Sequence, residues 1–341
     1  MTDRPKRVRQ TDVARVAGVS QATVSLVLSN SMEASIGAKA REAVVVAARE
    51  LGYAPDPIAQ KLARGRSLLL GLHTFAPEFP TSLSDSYYPY LEGVEQEASA
   101  QGYDLVLFTG VHRDGRGESH IQRLRLAEGI VLVGRNPRME DVRALLRDGQ
   151  TVVYIGRHDE FGPEVPYVGA DYAAATACLV DRLHALGHQS IIYLQEKDEA
   201  AASVDRELGF FRAPRREGQQ RTALRLIPSE VTPGRIAEWM RSGYTAVLVE
   251  GTDTTDLLAA TTLAIHASGL EFPRDISVAV TGGELQVFGR AFSGFSAPRR
   301  EMGRQAARLL VAILSGDQPT DSDLRQLLAC TQIDGETVRA M

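Results

Sequence analysis

From residue 67 onward, apolar runs of strand length alternate with helical patterns. Ser67–Thr74 (SLLLGLHT) leads to a helix near Tyr88–Gln101, Tyr103–Thr109 (YDLVLFT) to Glu118–Leu126, and Gly129–Gly134 (GIVLVG) to Met139–Asp148. Thr151–Gly156 (TVVYIG) follows. Pro166–Gly169 then precedes a helix across Tyr172–Leu186, and Ser190–Leu194 (SIIYL) precedes Ser203–Glu217. Thr222–Ile227 leads to Gly234–Ser242, Ala246–Glu250 (AVLVE) leads to Asp256–Ser268, and Ile276–Thr281 (ISVAVT) closes the series. Strands alternating with helices of about 10–15 residues predict parallel sheets of the α/β type. About nine or ten such units exceed one sheet. Two doubly wound lobes are expected, with a cleft at the carboxyl ends of their strands.

The first 66 residues follow a different period. Thr11–Leu28, TDVARVAGVSQATVSLVL, reads as two short helices around a tight turn. Gly18 suits a turn position with positive φ, and the Ser20 hydroxyl can cap the second helix. This is the helix-turn-helix pattern, whose second helix enters the DNA major groove. Ala38 to about Leu51 predicts a third helix, with Ala40, Ala43, Val44, Ala47, Ala48 and Leu51 at helical spacing and Gly52 after it. Asp56–Ala63 (DPIAQKLA) offers one more helical turn or two, too short to stand alone in water. It reads either as a segment ordered on binding or as a plain linker.

Charge sharpens this division. Residues 1–66 carry eleven Lys/Arg against six acids, a net +5 within a chain of net −5. A basic head on an acidic body suits a polyanion contact confined to one end. Composition is that of a globular protein, 44% hydrophobic and 24% charged over 341 residues. No apolar run approaches the roughly 18–20 residues of a membrane span, and MTDRPKRVRQ lacks a secretory apolar core. Cys178 and Cys330, the only cysteines, have no metal spacing and suit a reducing cytoplasm.

The segments DVARVAGVSQATVS, LGYAPDPIAQKLARGRS and the following LLLGL resemble the lactose-repressor family of bacterial transcription regulators, in order and spacing. The resemblance implies that Gln21, Ala22 and Leu26 face base edges. It implies that Thr11, Ser20, Thr23, Ser25 and Tyr53 belong to the DNA-binding surface, Ser20, Thr23 and Ser25 holding phosphates. It also implies a hinge helix at 56–66, whose Leu62, flanked by Ile58 and Ala59, wedges into the minor groove. Leu26 departs from the family pattern, which often has Arg there. Leucine cannot pair with guanine but can touch a thymine methyl. Gly37 stands where a Ser or Thr cap is usual.

YLEGVEQEASAQGYDLVLF, VGADYAAATACLVDRLHALGHQSIIYL, HASGLEFPRDISVAV and EMGRQAARLLVAIL extend the resemblance over nearly the whole chain. It implies a small all-α helix-turn-helix head (1–55) and a hinge and linker (56–66). An effector-binding and dimerisation core (67–341) of two periplasmic-binding-protein-like (type I) lobes follows. Lobe one is expected at about 67–166 and 297–325, including a helix around Glu301–Leu314. Lobe two is expected at about 167–296 and 326–341, including a last strand Gln326–Gln332. Arg206, in DRELGF, matches the family's pocket arginine; the plain alternative is a surface ion pair. His73, Phe75, Tyr87 and Arg157 are candidates from lobe one, and Asp253, Asp256 and Glu284 from lobe two. The aspartate that follows the DISV strand in sugar-binding members is absent, which leaves acidic effectors or modified sugars open.

No catalytic constellation is present: no Walker motif, no GxGxxG opening a helix and no GxSxG turn. His184 and His188 are four apart but fall at a helix end rather than in a zinc motif. The expectation is therefore a non-enzymatic, cofactor-free, cytoplasmic repressor that binds a palindromic operator as a homodimer and responds to a small polar effector, such as a sugar or sugar derivative. With no leucine heptad after the last strand, a tetramer through such a tail is not expected. The alternative is a solute-binding protein that delivers a ligand to a transporter.

Overall fold

The alternation of apolar residues with helical stripes becomes two units in the computed structural model, divided between Leu68 and Leu69. The structure describes residues 8–28, 36–53, 67–75, 87–109, 122–135, 137–215, 217–252, 254–283 and 285–341. Ile58, Ala59, Leu62, Asp253, Glu284 and the first four residues of the helical pattern at 118–126 lie outside them.

The N-terminal unit holds α1 (Gln10–Ala17), α2 (Gln21–Leu28) and α3 (Ala38–Glu50). Gly18, at φ 67° and ψ 31°, ends α1 in the left-handed region, where only glycine sits without cost. The Ser20 hydroxyl then accepts the Thr23 N–H at 3.1 Å and caps α2. α3 ends in a Schellman motif: Tyr53 N–H reaches the Ala48 carbonyl and Gly52 N–H that of Arg49. Gly37 provides no side-chain cap at its start. The core is built of small side chains, Val13, Ala14, Val24, Val27, Val44, Ala47 and Ala48. Each fully buried valine contributes roughly 1.5–3 kcal/mol, so a core this small is modest.

The C-terminal unit contains two six-stranded sheets. The first runs in the order β13 (Arg325–Leu328), β5 (Tyr167–Ala170), β4 (Thr151–Ile155), β3 (Gly129–Val133), β1 (Leu69–Thr74), β2 (Asp104–Phe108). Every pairing in it is parallel. The second runs β14 (Thr331–Ile333), β12 (Ser293–Ser296), β9 (Ser277–Thr281), β8 (Ala246–Glu250), β6 (Ser190–Gln195), β7 (Gln220–Arg225). Only the β12–β14 pairing of that sheet is antiparallel, and β10 (Gln286–Val287) and β11 (Arg290–Ala291) form a separate two-stranded ribbon. Central strands such as β3 and β8 are buried at every residue, as a sheet covered on both faces requires.

Helix α4 (Tyr88–Ala100) packs on α10 (Arg299–Leu314) so closely that a Cβ at Gly93 would come within 2.0 Å of the Arg300 carbonyl oxygen. A bidentate Arg308–Glu97 pair ties the same two helices, at 3.0 and 2.9 Å. Between them stand α5 (Met139–Arg147), α6 (Tyr172–Ala185), α7 (Ala201–Arg212), α8 (Pro233–Arg241) and α9 (Asp256–Ala267).

The sheets depart from the expected lobe boundaries at two places. β5, expected in lobe two, pairs with β4 and β13 in the first sheet. The single expected strand Gln326–Gln332 is two strands broken at Ala329–Cys330: β13 joins the first sheet and β14 the second. A four-residue apolar run does not say which sheet it will join; partner register decides that. α7 also ends at Arg212 rather than Glu217, because Pro214 drives Ala213 out of the helical region to ψ 144°. The chain therefore passes between lobes after β5, after β12 and after β13.

Candidate functional site

On the head, α2 turns Val24 and Val27 into the core, and that choice sets what remains outside. Gln21, Ala22 and Leu26 are exposed, with Thr11 and Ser20, while Thr23, Ser25 and Tyr53 are half-buried. Ser20 and Thr23 are tied hydroxyl to hydroxyl at 2.9 Å, and Tyr53 packs against the head core. Arg9, Arg15 and Lys39 are exposed on the same small unit.

In the C-terminal unit, a cleft lies between the lobes, lined from both. From lobe one come Tyr87 before α4, Arg135 after β3, Tyr154 and Arg157 around the end of β4, and Arg299 opening α10. From lobe two come Tyr172, Asp205, Arg206 and Thr252. This is the carboxyl-end crevice expected of doubly wound sheets.

Two arginine–carboxylate pairs cross it. The Arg135 guanidinium donates Nη2–H to Asp198 Oδ1 at 2.8 Å and to Ser203 Oγ at 2.8 Å, and it reaches Glu250 Oε1 at 3.4 Å. Arg157 donates Nε–H to Asp205 Oδ2 at 2.9 Å and a second bond through Nη2. Such fork-to-carboxylate pairs fix orientation as well as distance.

Behind Arg135, Glu250 ends β8 fully buried. It accepts from Ser203 Oγ, from Arg206 Nη1 at 3.2 Å and from the Glu196 backbone N–H at 3.0 Å. Arg206 is 2% exposed, stacks over the Tyr172 ring at 4.0 Å, and keeps a buried Nε–H without a hydrogen-bond partner. An unpaired buried donor is costly, of order 1–3 kcal/mol, and a site that receives an acceptor group relieves that cost. Burial raises the Glu196 carboxyl above its ordinary range, against the hydrogen bond from Thr252 and the nearby Arg135 charge. Burial also opposes ionisation of Asp198, but the Arg135 hydrogen bond and charge outweigh it and hold that carboxyl below the ordinary range.

Of the residues singled out from sequence, Tyr87, Arg157 and Arg206 meet at the cleft. His73 lies elsewhere, buried with Nδ1 3.0 Å from the Phe108 carbonyl oxygen. Phe75 packs into the core beside it, and Asp256 is exposed at the start of α9. Sequence reasoning missed Arg135, Asp198, Asp205, Tyr172 and Glu250. A signal existed for two of them: Arg135 and Glu250 are charges placed at the carboxyl ends of apolar strands. The other three are reached only through the packing of lobe two. His184 and His188 hold structure instead, His188 spanning Thr245 Oγ1 and the Arg339 carbonyl, each at 2.9 Å.

A helix-turn-helix unit with an uncovered second helix, joined to a two-lobed α/β unit with a polar cleft, defines the class of effector-responsive DNA-binding regulators. Residues 11–56 match the bacterial regulatory proteins of the lacI family, and residues 180–338 match the periplasmic binding protein-like domain. The chain is a DNA-binding transcription regulator of the lacI family.

Among its relatives is the HTH-type transcriptional regulator PtxS of Pseudomonas putida, 27% identical over 93% of this chain and 94% of that protein. The HTH-type transcriptional repressor MelR of Bacillus subtilis is 26% identical over 95% and 98%. The lac repressor dimer bound to operator and the anti-inducer ONPF shares the fold, with TM-score 0.74 and 24% identity over 98% of this chain and 100% of that one. The regulator CelR in complex with cellobiose aligns with TM-score 0.64 and 25% identity over 97% and 100%. The protein is not an enzyme, and these relatives lend the solute-carrier alternative no support.

Proposed function

We propose that this regulator represses transcription as a homodimer on a palindromic operator in the cytoplasm, and that a sugar or sugar derivative in the interlobe cleft sets its operator affinity. Two-fold pairing doubles the contacts that one small head can make. Gln21, Ala22 and Leu26 face base edges, Ser20, Thr23 and Ser25 hold phosphates, and Thr11 and Tyr53 complete the surface. The 56–63 segment, with Ile58, Ala59 and Leu62, serves as the minor-groove hinge. In the cleft, Tyr87, Arg157 and Arg206 contact the effector, joined by Arg135; Asp253 and Glu284 remain candidates. An effector acts only through its different affinity for the two lobe arrangements.

The observation that supports this reading most directly is the buried Arg206 in the cleft, with an Nε–H that has no partner of its own. Thermal-shift measurements on the full chain with neutral sugars, sugar acids, nucleosides and small carboxylates test it. One class should raise the melting temperature, and the shift should vanish in Arg206→Met. No shift with any class, or a shift that survives Arg206→Met, would remove the cleft as the effector site. In gel shifts, Leu62→Ala should weaken operator binding far more than nonspecific binding; equal loss on both would sink its wedge role.

A further inference from the structure

The solvent face of α2 carries no charge. Gln21–Leu28 contains no acid and no base, and its core face is Val24 and Val27, at 0% and 6% exposure. What remains fully exposed is one amide, Gln21, and two apolar side chains, Ala22 and Leu26, with Thr23, Ser25 and Leu28 half-buried. Leu26 is 39% exposed. Ala22 and Leu26 are four apart, so they form one ridge along the helix. A single exposed leucine means little by itself. Here it extends a second apolar residue along the helix that the helix-turn-helix geometry lays in the major groove, on a unit whose exposed cations, among the described residues, belong to other positions, Arg9, Arg15, Lys39 and Arg49.

In that groove each base pair offers a distinct edge, and only thymine presents a methyl group. A guanidinium or ammonium, the usual reader of guanine, is absent from α2 altogether. We infer that the Ala22–Leu26 ridge reads thymine C5-methyl groups, and that this regulator's half-site carries thymine opposite Leu26. The inference rests on the DNA-binding reading and specifies its base readout. Gln21, at the start of the helix, is the hydrogen-bonding reader beside the ridge, suited to adenine N6 and N7.

The test uses the full-length protein. Its preferred site is selected from a randomised duplex pool, and each thymine is then replaced by uracil, symmetrically in both half-sites, which removes only the methyl. Loss of one methyl contact should weaken binding about fourfold per half-site, roughly fifteenfold for both, at one or two thymines per half-site and nowhere else. In Leu26→Ala the thymine opposite position 26 should bind no better than uracil at that place, and Leu26→Arg should enrich guanine there. Unchanged salt-dependent nonspecific binding shows that the variant heads are folded. Equal affinity of the wild type for thymine and uracil sites would overturn the inference, and so would a methyl effect in Leu26→Ala that is undiminished at every thymine. A pool that enriches no sequence would overturn the DNA-binding reading itself, a result distinct from either of these.

Discussion

The two faces of the cleft differ in the charges they offer. Lobe one presents the guanidinium groups of Arg135, Arg157 and Arg299 beside the phenols of Tyr87 and Tyr154. Lobe two presents the carboxylates Asp198, Asp205 and Glu250, with Arg206 the one buried cation among them. The lobes are thus held by the protein's own opposite charges. Any effector that enters must replace or rearrange those pairs, so its binding energy is coupled to the lobe arrangement from the start. Complementary faces of this kind favour orientation more than raw stability, since desolvating the partners offsets much of their attraction.

The sharpest way to break the contrast is at its buried end. Glu250→Ala strands Arg206 and Arg135 without their shared carboxylate and should cost roughly 3–5 kcal/mol of stability in chemical denaturation. A loss below 1 kcal/mol would mean that Glu250 is not the anchor of this network. Next is the crossing itself. Arg135→Met with Arg157→Met removes both interlobe pairs while keeping apolar volume. These arginines are only partly buried, so a smaller loss of about 1–3 kcal/mol is expected, together with a larger radius of gyration in solution scattering. An unchanged radius would show that packing, not charge, sets the lobe spacing.

The smallest effect is a pH dependence with two opposite signs on one loop. The Asp198 carboxyl is held low in the folded protein, so its stabilisation is present above its unfolded value of 3.8 and is lost as pH falls through the folded one. Glu196 is raised, so its contribution is present below the unfolded value of 4.5 and is lost as pH rises through the folded one. Asp198→Asn should therefore flatten the acid limb of a stability–pH curve, whereas Glu196→Gln should raise stability at neutral pH. Identical curves for both variants would show that the two carboxylates do not differ in environment.

The head was legible almost residue by residue. Gly18, Ser20 and the Val/Ala stripe are local instructions, each acting within one helical turn of itself, and the structure uses them in that way. The strand and helix series of the body was legible for the same reason, since a period of 2 or 3.6 is written in neighbouring residues. Lobe membership was not. β5 and β13 are short runs whose partners lie far along the chain, and register with Tyr154–Ile155 and with one another decides their sheet.

The cleft shows the same limit. Arg206 and Arg157 could be picked out from the segments around them, and Glu250 from its place at the end of an apolar strand. His73 had an equally good local context, yet the Phe108 carbonyl across the β1–β2 pair claims its ring nitrogen. By itself, the sequence determined the secondary elements, the basic head and the family, because periodicity, capping and charge are local properties. Only the tertiary structure decided which charges meet. Arg135 and Asp198 are 63 positions apart, and Arg135 and Glu250 are 115 apart. Contacts at that separation exist only once both sheets have formed and been set face to face.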